Sequence, residues 1–150
     1  MTDDNARRAA ELLHIRHHHL AKGEPAGLPI TATSMFKLPG DPVGFAQYGR
    51  FDNATWEATE ELLGHLEGAP ALSFPSGMAA ISAVLFGLLK AGDRILLPSD
   101  GYYTTRVLTE RFLTRMGVSY DLRPTVDFLQ GGFGGYRLVF AETPSTPGLD

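Results

Sequence analysis

The 150 residues predict an α/β domain built on a largely parallel sheet. Three features carry that prediction. From residue 54 onward, short apolar runs alternate with longer helix-like stretches, as in strand–helix–strand units. Residues 78–89 offer Met78, Ile81, Val84, Leu85, Leu88 and Leu89 and almost no polar face, the pattern of a helix enclosed between a sheet and another layer. Polar or aromatic residues follow three of the predicted strands, where open α/β sheets keep their ligands.

Composition narrows the class. The chain is long enough for a real core, and 43% of it is hydrophobic. Seventeen acidic residues against 13 basic ones give a net charge of −4, so there is no basic field for a nucleic-acid backbone. With no cysteine, disulfides, Cys-ligated zinc and a thiol nucleophile are excluded. The first 11 residues are polar and charged, unlike a signal peptide, and no apolar stretch is long enough to span a bilayer. The cytoplasm is the expected compartment.

Residues 5–22 read as a helix, with Ala6, Ala9, Ala10, Leu12, Leu13 and Leu20 as good formers and Asp3 and Asp4 at the dipole-favoured start. The run His17-His18-His19 points in different directions on a helix, so it reads as solvated rather than metal-binding. Residues 23–44 carry Gly23, Pro25, Gly27, Pro29, Pro39, Gly40, Pro42 and Gly44, an extended arm. Ser34-Met35-Phe36-Lys37 fits S-x-x-K, but Pro39-Gly40 follows at once and denies the Ser its helix.

A second helix starts near Asn53 or Thr55, buries Leu62, Leu63 and Leu66, and ends at Gly68. Ala71-Leu72-Ser73-Phe74 reads as a buried strand, turning at Pro75-Ser76-Gly77 into the apolar helix, which Gly92 closes. Residues 94–98 form the next strand, 103–116 a helix stopped by Gly117, 118–122 a strand, 125–130 a short helical turn and 137–141 a strand. The glycines at 131–135 precede a strand and miss the third position of G-x-G-x-x-G, so a nicotinamide or flavin fingerprint is absent. The chain stops on the Pro-rich loop at 142–150, an odd place for a finished α/β domain.

Two strand–loop junctions and one strand–helix junction gather polar groups. Ser76 and Gly77 open a helix whose free N–H groups and dipole favour an anion. Asp100 and Tyr102 follow the next strand, Glu142 and Ser145 a later one. Each also has a plain structural reading: Ser76 and Asp100 as helix caps, Tyr102 as a core aromatic, Glu142 as a surface carboxylate. No Ser-His-Asp arrangement is readable, because His14, His17, His18, His19 and His65 fall in predicted helices.

One ordered set of residues goes further. Tyr48-x-Arg50, Asn53-Ala54-Thr55, Leu66-Glu67-Gly68-Ala69, Ser76-Gly77-Met78-Ala79-Ala80, Gly92-Asp93, Asp100-x-Tyr102 and Glu142-Thr143-Pro144-Ser145 occur in sequence. Over about residues 29–150 the chain resembles the pyridoxal-phosphate (PLP) enzymes of cysteine and methionine metabolism, most of all the cystathionine γ-lyase branch. The resemblance implies the aspartate aminotransferase-like PLP-dependent transferase fold, type I, here truncated. Residues 1–50 would be a helix and an arm held by a neighbouring subunit, and 51–150 the first part of the PLP-binding domain. The family is typically a homotetramer of two active-site dimers.

The same resemblance places the cofactor. Gly77 and Met78 would give backbone N–H groups to the PLP phosphate, beside Ser76. Tyr102 would stack on the pyridine ring, and Tyr48 and Arg50 would reach the phosphate bound in a neighbouring subunit. Glu142 and Thr146 complete the implied cofactor-binding set. The chain departs from the family at Ala54, usually Pro, at Tyr103-Thr104, usually Gly-Gly, and at Thr146, usually an Asn supporting the cofactor's phenolic oxygen. The family's Schiff-base lysine, its aspartate for the pyridine nitrogen and its arginine for the substrate carboxylate have no match among these residues. Lys22, Lys37 and Lys90 do not follow the lysine motif. A sulfur amino acid such as cystathionine is the implied substrate, with γ-synthase, methionine γ-lyase and sulfhydrylase activities sharing the motifs, and the chain alone is expected to be inactive. A reading of another class keeps the helix N-terminus as a phosphate-ligand or interaction module without chemistry.

Overall fold

The computed structural model describes residues 3–15, 20–41 and 43–145. The chain forms two compact units, Met1–Ser73 and Phe74–Asp150. This division follows packing. The boundary expected at residue 50 is a division by role, and stays a proposal.

In the first unit, helix α1 spans Asp3–His14 and α2 spans Ala54–Glu67. Arg7 Nε donates to Glu11 at 2.9 Å, and Glu11 Oε2 lies 3.3 Å from His65 Nε2 on α2, an ion pair whenever His65 is protonated. Helix α1 is shorter than the sequence suggested. By residue 21 the chain is already turning, because Glu24 takes the Ala21 N–H on its carboxylate at 2.9 Å and returns its own N–H to the Ala21 carbonyl. The run His17-His18-His19 lies outside the described residues. Asn53 caps α2 by accepting the Thr55 N–H at 2.9 Å, and Gly68 ends it in the left-handed conformation, φ 69°. The expected buried stripe is not buried: Leu62, Leu63 and Leu66 are 38%, 41% and 47% exposed. Among the described residues of the unit, the helix that packs on α2 is α1, which carries three Ala, two Arg and two Asp among its twelve residues and leaves this apolar face uncovered. The arm is irregular, as its glycines and prolines require, with one antiparallel bridge between Met35 and Tyr48.

The second unit holds the sheet. Helix α3 spans Gly77–Leu88, strand β1 Arg94–Pro98, helix α4 Tyr103–Leu108, β2 Ser119–Arg123 and β3 Leu138–Val139. The order is β2-β1-β3 and both pairings are parallel. Strand β1 is central because Ile95, Leu96 and Leu97 suit a strand buried on both faces, and each is at most 1% exposed. Ile95 and Leu97 share one face and pack with Leu85 and Leu89 of the α3 region and with Leu113 and Val118. Arg137 N–H to Arg94 O at 2.8 Å and Phe140 N–H to Leu96 O at 2.9 Å extend the β1–β3 pairing past the two residues of β3 proper.

Helix α4 runs on as a π-helical turn, Thr109–Leu113, and a 3-10 turn, Thr114–Met116, and Gly117 ends the whole at φ 83°. The expected extent holds, but its regularity does not. The Thr109 and Thr114 hydroxyls donate to the Thr105 and Glu110 carbonyls, competing with the backbone for those acceptors. Another short 3-10 helix covers Thr125–Gln130.

Two expectations fail here. Ala71-Leu72-Ser73-Phe74 is not a strand. Pro70 and Pro75 bracket it without N–H groups, and Ser73 gives both its N–H and its hydroxyl to Glu60 Oε1 at 2.7 Å. Nor is α3 enclosed. Leu85 is buried against β1, while Val84, Phe86 and Leu88 are 40%, 42% and 50% exposed, because the described part of the unit supplies one layer against it.

Candidate functional site

Ser76 closes α3 from an extended conformation, and its Oγ accepts the Ala79 N–H at 3.1 Å. Its carbonyl takes the Ala79 and Ala80 N–H groups, both at 3.1 Å. The N–H groups of Gly77 and Met78 have no partner among the described residues. A Cβ built on Gly77 would meet nothing within 4 Å. Two free donors therefore stand at the positive end of a 12-residue helix, beside open space at Gly77.

The loop after β1 is held from several sides. Ser99 N–H donates to Arg123 O at 2.8 Å, and the Arg106 guanidinium donates to Ser99 O. Asp100 Oδ1 accepts the Thr125 N–H at 3.0 Å and the Thr125 hydroxyl at 2.8 Å. The Thr125 hydroxyl in particular holds the Asp100 carboxyl below its ordinary pKa of 3.8, with the Thr125 N–H and the Arg106 charge adding to it. So Asp100 caps the helical turn at 125–130, not the helix it precedes.

Glu142, just past β3, reaches the same loop. Its Oε2 accepts the Tyr102 N–H at 2.7 Å. Between them Gly101 leaves no room: a Cβ there would stand 2.4 Å from Pro98 Cγ and 3.0 Å from Glu142 Oε2. Tyr102 is 45% exposed and so is not a core aromatic. Thr105 is buried beneath, lining a small cleft with Pro98, Tyr102, Arg106, Phe140 and Glu142, and its hydroxyl has no partner among the described residues. Ser145 is fully buried, and Thr146 lies outside the described residues.

Tyr48 and Arg50 belong to the first unit. The Arg50 guanidinium sits 5.0 Å from the Tyr48 ring centroid, and Phe51 meets the same ring edge-on at 6.2 Å. Gly49 N–H to Ser34 O at 2.9 Å and Asn53 Nδ2 to Thr31 O at 3.0 Å fix this corner to the arm. Among the described residues Arg50 has no carboxylate partner, so its fork of donors is available to an anion. The structure thus draws Tyr102 and Glu142 together at adjacent strand ends, sets Ser76, Gly77 and Met78 at the head of α3, and pairs Tyr48 with Arg50. Gly101, Thr105, Arg106 and Thr125 were not read as site residues. Thr125 meets Asp100 across 25 residues and Gly101 lies beside a Tyr102–Glu142 bond that spans 40, separations that no local pattern marks, while Arg106 meets Ser99 seven residues back.

Residues 10–150 match the family described as the Cys/Met metabolism PLP-dependent enzymes. The chain belongs to this family. A protein of Streptomyces coelicolor carrying the provisional name cystathionine γ-lyase is 44% identical over 125 residues, which is 77% of this chain and 31% of that protein. The cystathionine β-lyase of Lactococcus lactis is 40% identical over 126 residues, 80% of this chain and 33% of that one. The crystal structure of MetB from Corynebacterium glutamicum superposes with a TM-score of 0.79 at 30% identity, over 95% of this chain and 39% of that chain. The chain thus spans about a third of the length of the curated relatives it matches. The fold is that of the PLP-dependent transferases, and PLP is the family's cofactor.

The residues present fit that cofactor. The unpartnered Gly77 and Met78 donors and the open space over Gly77 suit a phosphate, and the exposed Tyr102 face suits a flat ring. Among the described residues no group of His, Asp and Glu is arranged to hold a metal, and no helix is long and apolar enough to cross a membrane.

Proposed function

We propose that this chain is the N-terminal, cofactor-holding portion of a PLP-dependent transsulfuration enzyme, nearest to cystathionine γ-lyase. The observation that carries the reading is the pair of free N–H groups at Gly77 and Met78 beside an uncrowded glycine. These groups would hold the phosphate, with the Ser76 hydroxyl beside them, and Tyr102 would lie against the ring. Arg50 and Tyr48 would act on the phosphate of a neighbouring subunit in a homotetramer, carried there by residues 1–50, a helix and an extended arm. Thr146 would stand near the phenolic oxygen. When bound, PLP draws electrons from the bonds at the substrate's Cα and Cβ, so that a thiol leaves from Cγ.

The chain's own residues then bind and orient, and do not move the substrate's protons. Lys22 and Lys37 lie in the turn and arm of the first unit, and Lys90 follows α3 with its N–H on Asp93. None of the three is the family's lysine, so the 150 residues are expected to hold PLP without turning over cystathionine. The support for the γ-lyase branch is the 44% identity to the Streptomyces coelicolor protein, against 40% for the Lactococcus lactis cystathionine β-lyase and 36% for the Mycobacterium bovis cystathionine γ-synthase, while the Dictyostelium discoideum cystathionine γ-lyase is 35% identical.

Titration with PLP, with pyridoxal and with inorganic phosphate as competitor tests the reading. PLP is expected to bind at least about tenfold tighter than pyridoxal, with phosphate competing, as for a site dominated by charge-assisted bonds. Equal affinity for pyridoxal overturns the phosphate assignment. Turnover of cystathionine by this chain with PLP overturns the expected inactivity.

A further inference from the structure

Glu142 faces a problem as a direct cofactor ligand. A carboxylate against a phosphate, or against an ionised phenolic oxygen, repels it. Glu142 already has a donor. Its Oε2 accepts the Tyr102 N–H at 2.7 Å, the short distance of a charge-assisted bond. Tyr102 stands at the head of α4 and no side chain of its own element caps it. Glu142, coming from beyond the neighbouring strand, supplies the missing cap and places its negative charge at the positive end of that helix.

The surroundings allow one arrangement. Gly101 brings the main chain so close to Pro98 and Glu142 that a methyl group would not fit. On the other flank Asp100 is bound to Thr125 by both its N–H and its hydroxyl. The loop is therefore gripped at residue 100 by the segment after β2 and at residue 102 by the segment after β3. Tyr102 projects from this grip with nearly half its surface free.

We infer that Glu142 is a positioning residue for the Tyr102 ring: it acts through the Tyr102 main-chain N–H and does not touch the cofactor. This inference rests on the proposal that Tyr102 meets the PLP ring. It divides the site into two parts that fail separately, the α3 head that binds phosphate and the Glu142–Tyr102 pair that sets the ring platform.

The test measures the affinity of the full 150-residue chain for inorganic phosphate and for PLP, in wild type, Glu142→Gln, Glu142→Asp and Tyr102→Ala, with far-UV circular dichroism to verify folding. Gln keeps an acceptor oxygen at the same reach, while Asp keeps the charge and loses the reach. The expected result is a PLP-to-phosphate affinity ratio near wild type in Glu142→Gln, and a ratio about tenfold lower in both Glu142→Asp and Tyr102→Ala, with phosphate affinity constant throughout. The double variant Glu142→Asp/Tyr102→Ala is expected to be no worse than Tyr102→Ala alone. If Tyr102→Ala leaves the ratio unchanged, the ring contact itself fails, and the inference with it. If Tyr102→Ala lowers the ratio and Glu142→Asp does not, the ring contact stands and the role of Glu142 is overturned. If Glu142→Gln tightens phosphate binding, the carboxylate acts on the anion directly, which also overturns it.

Discussion

Asp100 binds Thr125 twice, through the Thr125 N–H at 3.0 Å and its hydroxyl at 2.8 Å, across 25 residues of chain. The pair fastens the exit of β1 to the exit of β2. These bonds favour the ionised carboxylate, so the folded pKa lies below the unfolded value of 3.8. A depressed carboxyl stabilises the fold in full above its unfolded pKa, and the contribution disappears as pH falls through the folded one. Urea midpoints are therefore expected to fall more steeply below about pH 4 in wild type than in Asp100→Asn. Parallel curves would dismiss the pair as a source of acid sensitivity.

Two glycines respond oppositely to alanine. At Gly101 the new methyl collides with the Pro98 ring, which has little freedom to yield, and with Glu142. Gly101→Ala is expected to cost about 1–3 kcal/mol in urea unfolding, the range of overpacked sites. At Gly77 the methyl meets nothing. Gly77→Ala is expected to keep or raise stability, by up to about 1 kcal/mol, while weakening PLP binding. A stability loss at 77 equal to that at 101 would mean that the space over Gly77 is occupied by protein.

Asn53 is 4% exposed and serves two segments at once. Its Oδ1 caps α2 at Thr55 and its Nδ2 ties down the Thr31 carbonyl. Asn53→Ala removes both and is expected to cost about 2 kcal/mol, with Asn53→Asp recovering roughly the half that belongs to the cap. Thermal melts of the three proteins decide whether the second bond counts.

Arg50 makes no ion pair among the described residues, and its guanidinium leans on Tyr48. Arg50→Ala is therefore expected to shift stability by no more than about 1 kcal/mol. Its effect belongs to assembly. If Arg50 serves a neighbouring subunit, PLP affinity in wild type rises with protein concentration and in Arg50→Ala does not. Concentration-independent affinity in wild type would place Arg50 outside the phosphate site.

The parts that could be read from sequence are those whose cause is local. Ile95-Leu96-Leu97 announces a central strand because nothing else buries three consecutive aliphatics on two faces. Ser76, Asn53, Gly68 and Gly117 mark helix ends by chemistry each carries itself. Ala71–Phe74 misled for the converse reason: an apolar run signals a wish for burial and says nothing of a pairing partner, and Ser73 found Glu60 instead. The stripe on α2 misled likewise, since periodicity shows which face is apolar and not what lies against it. Of the proposed site, Gly77 and Tyr102 were named through an ordered set of motifs. The grips that hold Tyr102 join side chain to main chain over long separations, and such bonds leave no periodic trace.

That separation has a consequence in time. The Tyr102 N–H waits for a carboxylate 40 residues further along the chain. At roughly 5–20 residues per second of synthesis, that is a delay of about 2–8 s between making the aromatic residue and making the group that fixes it. The head of α3, by contrast, needs only Ser76 and the residues directly after it. If the α3 head holds the phosphate and Tyr102 meets the ring, as proposed, a nascent chain acquires its anion-binding end before its ring-binding face, and a phosphate-bearing ligand docks first by its phosphate.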